Sequence, residues 1–212
     1  NKMDLTNLSS VQLDVLREIG NIGAGNAITS MSTLLNKRID MQIPSVKVVS
    51  FDEVMELIGG PEEIVVAMLF KINGQAKGTV YFILSTEEAE SLVSEMSEDV
   101  TLDLFGEEEP SELAISILKE VGNIMTGSYL TALSNFTQIN MKPSIPYLGV
   151  DMAGSILTEG LIELSHVSDF AIVIDTEITD RDQHGIRGHF LLLPEYESLS
   201  KIFTALGVND HG

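Results

Sequence analysis

Glu18 and Asn21 stand three positions apart in LREIGNIGAGNA (16–27), and Glu120 and Asn123 stand three apart in LKEVGNIMTGSY (118–129). Residues three and four apart on a helix share a face, so each pair sets a carboxylate one turn from a carboxamide. A carboxamide offers one acceptor and two donors; it is a poor base, but it can hold a water in a fixed orientation. That service suits phosphoryl transfer, where positioning and charge neutralisation do most of the work. A carboxylate one turn away could pair with a lysine of a partner and hold the amide against the partner's phosphate. The plainer reading is a solvated helix face. Asp14 and Ser116 extend the two stripes backward by a turn, and Gly25 and Gly127 extend them forward, removing bulk beside each amide.

The glycines raise a competing reading, a phosphate-cradling loop. Such a loop follows an apolar strand and opens a helix, whereas VQLDVLREI before Gly20 is a charged helical pattern. No Lys-Ser/Thr follows, and the second copy replaces Gly23 by Met125. The loop reading is set aside. At an offset of 102 residues, segment 16–34 falls on 118–136 with eight of nineteen positions identical, and the offset holds through Pro44 and Pro146. Each helical glycine costs roughly 1 kcal/mol relative to alanine. A cost accepted in both copies suggests close approach, by another helix or by a partner.

The elements that must carry these residues repeat as well. Each half opens with a long helix, capped near Ser9–Ser10 and at Ser111, with apolar residues at Leu13, Leu16, Ile19 and Ile22, then Ile115, Leu118, Val121 and Ile124. A short strand follows each proline (46–51 and 147–152), then a helix (52–59 and 152–164). Two strands come next in each half, 63–72 with 77–84 and 170–179 with 186–193. Their links, NGQA and DRDQHG, have hairpin composition. A last helix closes each half (86–97 and 195–207). The expected division is a first repeat over 1–100, an acidic linker over 101–112 and a second repeat over 113–212. Too few strands per half point to one α+β domain with pseudo-two-fold symmetry, its two internal repeats sharing an antiparallel sheet packed with long helices.

Composition narrows the chemistry. The 32 acidic against 12 basic residues give a formal charge of −20, which disfavours nucleic acid and anionic lipid. No cysteine is present, so thiolate catalysis and cysteine-based zinc sites are excluded. No apolar stretch reaches the ~18 residues of a membrane span, so no membrane insertion is expected. The first residues, NKMDLTNLSS, do not form a secretory signal, so a cytoplasmic location is expected. His166, His184, His189 and His211 lack metal-ligand spacing; no metal site and no cofactor of the protein's own are expected.

The pattern Asp/Ser, three residues, Glu, two residues, Asn, twenty-two residues, Pro occurs twice, as Asp14–Glu18–Asn21–Pro44 and Ser116–Glu120–Asn123–Pro146. With EIGNIGAGNA and EVGNIM, it resembles the signature of the CheC/CheX/FliY phosphatases of bacterial chemotaxis across nearly the whole chain. The resemblance implies hydrolysis of the aspartyl phosphate of the response regulator CheY. Glu18 and Glu120 would bind a regulator lysine, Asn21 and Asn123 would orient the attacking water, and Asp14 and Ser116 would assist docking. Pro44 and Pro146 would shape the backbone, and Mg2+ would sit in the partner regulator. Two intact motifs favour CheC-type members over the single-motif CheX and over FliY, which adds a C-terminal switch domain. CheC-type members also bind the receptor deamidase CheD, and VDMAGSILTEG (150–160), with Asp151, resembles the segment that docks it; an ordinary amphipathic helix is the other reading. The alternatives to an enzyme are a non-catalytic adaptor of CheD and CheY, or the N-terminal part of a FliY-type flagellar switch protein.

Overall fold

The computed structural model describes residues 10–161, 170–179 and 185–207. Its elements run α1 (Ser10–Leu35), β1 (Asp40–Ser50), α2 (Phe51–Leu57), β2 (Ile64–Gly74), β3 (Gly78–Ser85), α3 (Thr86–Met96), α4 (Glu112–Thr137), β4 (Met141–Pro143), β5 (Tyr147–Met152), α5 (Ala153–Leu161), β6 (Phe170–Thr179), β7 (Gly185–Pro194) and α6 (Tyr196–Ala205). Local chemistry marks the helix ends. Ser111 Oγ accepts the Ala114 N–H at 3.1 Å to start α4, and Ser85 Oγ accepts from Glu88 N–H to start α3. Ser50 and Glu53 form a reciprocal capping box at α2. Asn36 and Gln138 adopt positive φ (50° and 58°) just past α1 and α4, the left-handed step that ends a helix.

The seven strands form one antiparallel sheet in the order β1-β6-β7-β3-β2-β4, with β5 also on β2. The strand order explains the sharing of the sheet. Hairpins β2–β3 and β6–β7 meet at a central β3–β7 seam. The strand after each long helix then crosses to the other half's hairpin: β1 pairs β6, whereas β4 and β5 pair β2. Side chains alternate between the two faces. Val66, Met68, Phe70, Val80, Phe82, Ile172, Ile174, Phe190 and Leu192 face a large core closed by α1, α3, α4 and α6. Val65, Ala67, Tyr81, Ile83, Val173, Leu191 and Leu193 face a smaller core under α2 and α5.

Three details depart from the sequence reading. β1 begins at Asp40, before Pro44 rather than after it. The short strand β4 was not anticipated; three residues are too few to show a period. Ile22 is 48% exposed, because a three-residue spacing falls behind the 3.6-residue turn and carries Ile22 to the far side from Leu13. The buried line of α1 is instead Leu16, Ile19, Gly20, Gly23, Ala24, Ala27 and Met31. Residues 180–184 of the DRDQHG link and the end of the predicted 152–164 helix fall outside the described residues.

Candidate functional site

Helix α1 turns Asp14, Glu18, Asn21 and Gly25 outward, all four exposed. On α4, Ser116, Glu120 and Asn123 are likewise exposed and Gly127 is half-buried. The carboxylate and carboxamide of each half therefore stand one turn apart on an open helix face.

The glycines divide into two groups. A Cβ on Gly20 would stand 3.1 Å from Ile43 Cδ1, and one on Gly122 would stand 2.7 Å from Met68 Sδ. These two let the long helices settle onto the sheet. Gly23 makes room for Tyr129, where a Cβ would approach its ring to 2.6 Å and its Cα to 3.1 Å. Gly25 and Gly127 differ: nothing lies within 4 Å of a Cβ built at either. Of the two explanations for a repeated glycine, helix packing among the described residues does not apply to Gly25 and Gly127. Each keeps the helix face bare one turn beyond the amide. Gly25→Ala and Gly127→Ala are expected to raise stability by about 0.5–1 kcal/mol each, read as a higher urea midpoint at unchanged slope. A lowered midpoint would mean that the glycine conformation is needed within the fold.

Pro44 sits at a bulge in edge strand β1. Gln42 pairs Glu177 and Ser45 pairs Asp175, so Ile43 and Pro44 together face the single residue Thr176. Proline lacks an N–H for the ladder and is tolerated at such an edge bulge. The second half has the same break. Ile72 pairs Pro143 and Leu69 pairs Tyr147, so Ser144, Ile145 and Pro146 span two residues of β2. Each motif proline thus marks a one-residue excess where its strand crosses to the other half.

At the first bulge lies a cleft of about 590 Å³. Its walls are Arg17 and Asn21 of α1, Met41–Pro44 of β1, Asp175–Glu177 of β6 and Arg187–His189 of β7. The structure therefore brings Asn21 and Pro44 together, while Glu18 and Asp14 stand on the same helix outside these walls. Asn123 follows Gly122, which packs on Met68 and Phe70 of β2, the strand that pairs β5 just past Pro146. Asp151 is exposed near the end of β5, and its carboxylate accepts the Met152 N–H at 2.7 Å. It does not cap α5, whose first amides go to Glu63 O and Pro61 O.

Beside the cleft lie groups that sequence reasoning passed over. Ser45 Oγ donates to Asp175 Oδ2 at 2.5 Å, and His189 Nδ1 lies 2.6 Å from Asp175 Oδ1. An ionised carboxylate only accepts, so Nδ1 carries the proton. The His189 bond holds the Asp175 carboxyl below the usual carboxylate range; burial opposes this, and Ser45 and the charges of His189 and Lys47 support it. Arg187 forms a long ion pair with Glu177 at 3.9 Å. Beneath, the Tyr129 hydroxyl meets Thr176 Oγ1 at 2.9 Å, and burial pushes the Tyr129 phenol up to about 12 despite that bond. Asp175 and His189 lie fourteen positions apart, and only the β6–β7 register brings them together. Among the described residues, no three His, Asp or Glu side chains converge to hold a metal ion. No helix among them is long and apolar enough to cross a membrane.

Comparison with known proteins follows the same lines. The model of the CheC-like family matches residues 11–48 and 113–148, the segments that carry the two Glu–Asn faces and prolines. The CheY-P phosphatase CheC of Bacillus subtilis is 41% identical over 201 residues, 93% of this chain and 95% of that protein. Among solved structures, Thermotoga maritima FliY superposes with a TM-score of 0.69 at 20% identity, over 95% of this chain and 98% of that one. The middle domain of FliM from H. pylori gives 0.65 at 17% identity, over 93% and 99%. These two share the fold, and the extended identity with the Bacillus subtilis protein fixes the relationship more narrowly: the chain belongs to the CheC-like family.

Proposed function

We propose that this protein is a phosphatase of the phosphorylated response regulator CheY, working through the helix faces of Asn21 and Asn123. The reading rests on one observation: on α1 and again on α4, an exposed glutamate and asparagine stand one turn apart on a face cleared by a glycine that no packing contact among the described residues requires. The close relative is named a CheY-P phosphatase, which supports the same activity here. In this reading Glu18 and Glu120 each engage a lysine of the regulator. The amides of Asn21 and Asn123 orient water for in-line attack on phosphorus, and Asp14 and Ser116 contact the regulator at the rim. The aspartyl carboxylate leaves as inorganic phosphate forms. Mg2+ belongs to the regulator. Asp151, exposed beside α5, is proposed to contribute to a surface for the deamidase CheD, and the working location is proposed to be the cytoplasm.

The test is phosphate release from phosphorylated CheY with Mg2+ present. The wild type is expected to accelerate release, and Asn21→Ala and Asn123→Ala each to remove part of that acceleration. A second reading draws on the fold shared with the FliM middle domain, in which the chain docks partners without turnover. It predicts no acceleration by the wild type, with or without CheD.

A further inference from the structure

We propose that the Ser45–Asp175–His189 chain is a clasp that positions the first site alone, making the two sites unequal by construction. The proposal rests on the reading of Asn21 and Asn123 as water-orienting groups. It starts from a comparison that the sheet register allows. Directly after each motif proline, the edge-strand residue pairs with a residue of the neighbouring strand, which pairs with one on the strand beyond. In the first half the row is Ser45, Asp175 and His189. In the second, 102 residues on, it is Tyr147, Leu69 and Tyr81.

The two rows are fastened by different chemistry. The second row has an apolar centre: Leu69 packs against the smaller core, and the Tyr81 hydroxyl bonds to the main-chain oxygens of Ile156 and Leu157 at 3.1 Å. Ser45 is tied to a side chain, the Asp175 carboxylate, whose other oxygen is held by His189. A leucine side chain has no donor or acceptor to link its neighbours, whereas a serine–carboxylate–imidazole chain runs through the side chain of each member. Charge-assisted bonds of this kind are among the stronger ones. The Asp175 carboxylate faces His189 from β7 and Ser45 and Lys47 from β1, with Glu177 along its own strand and Arg187 and Arg17 on the cleft walls.

By strand alternation Asp175 and His189 occupy the face of Val173 and Leu191, whereas Thr176 and α1 lie on the other. His189 is therefore a positioning residue. It acts on Asn21's surroundings through the bulge, by fixing Ser45 and so the Pro44 rim that shares the cleft with Asn21.

The test uses two backgrounds of the full chain, Asn123→Ala, which leaves the first site, and Asn21→Ala, which leaves the second. His189→Phe keeps ring volume and removes the donor, and His189→Asn keeps an N–H donor near the same point. In the Asn123→Ala background, His189→Phe is expected to slow phosphate release from phosphorylated CheY about tenfold, a modest loss for displaced geometry, and His189→Asn to restore most of it. In the Asn21→Ala background neither change has an effect. Amide hydrogen exchange over 42–46 should quicken with His189→Phe while that over 141–147 stays constant. Should His189→Phe not fold, Ser45→Ala breaks the clasp at its other arm and carries the same expectations. Equal losses in both backgrounds, absence of rescue by His189→Asn, or unchanged exchange over 42–46 would each overturn the proposal. The exchange result judges the clasp even if the Asn variants leave phosphate release intact and the water-orienting reading itself fails.

Discussion

Combined substitution Asn21→Ala/Asn123→Ala is expected to return phosphate release from phosphorylated CheY to the unassisted rate, a loss of about 100-fold or more if each amide contributes as a typical preorganised polar group does. The expectation is sharp because neither side chain has a packing task among the described residues. Both are exposed on helices, and neither is packed into either hydrophobic core. Alanine is the better helix former by a few tenths of a kcal/mol, so the double variant should unfold at the same or slightly higher urea concentration. A loss of activity could then not be assigned to a loss of fold. The single variants set the scale: if the sites act independently, the rate retained by each should equal what the other loses. A folded double variant that still accelerates release would sink the water-orienting mechanism, and the Glu–Asn faces would then be docking surfaces only. Retained CheY binding by the inactive double variant is expected too, because Glu18, Glu120 and the cleared glycine faces remain.

Legibility in the sequence followed the range of the interactions. The helix faces could be read because Glu18 and Asn21 are neighbours through a local period, and the offset of 102 residues repeated that period for Glu120 and Asn123. Strand β6 was expected over 170–179 and is found there, since it opens with an unbroken apolar run, Phe170–Ile174, and continues in alternation through Thr176 and Ile178. Pro44 misled in a specific way. A proline reads as a break, yet on an edge strand it sits inside the ladder at a bulge, so β1 starts earlier than its composition suggests. Asp175 and His189 were not readable as a pair, because their meeting depends on the register of a hairpin. A histidine in a strand carries no sign of which carboxylate lies opposite. The role of Gly23 was hidden for the same reason, since its neighbour Tyr129 belongs to the other half of the chain.

Residues 1–100 and 113–212, each produced alone, are expected to show no cooperative unfolding, losing the whole of the roughly 5–15 kcal/mol typical of a domain. The reason lies in the strand order. Cutting the chain between halves leaves β1 without β6, β5 and β4 without β2, and β3 without β7. The first half keeps the β2–β3 hairpin, and a lone two-stranded ribbon is marginal in water. Its long helix would also lose its bed, because Gly20 of α1 packs toward Ile174 of β6 and Gly23 against Tyr129 of α4. The intact chain should instead unfold in one step, with circular dichroism and tyrosine fluorescence giving coincident urea curves. A protease site placed among the exposed Glu107–Glu109 separates connectivity from contact: the nicked chain should remain folded, with both Asn-dependent activities, until denatured. A cooperative transition from either isolated half would show that the crossed strands are ornament to a self-sufficient repeat. If neither half folds alone, each site is a joint product of both halves. Asn21 comes from α1, but the wall it faces across the cleft comes from β6 and β7, so a change in one repeat is felt at the site named for the other.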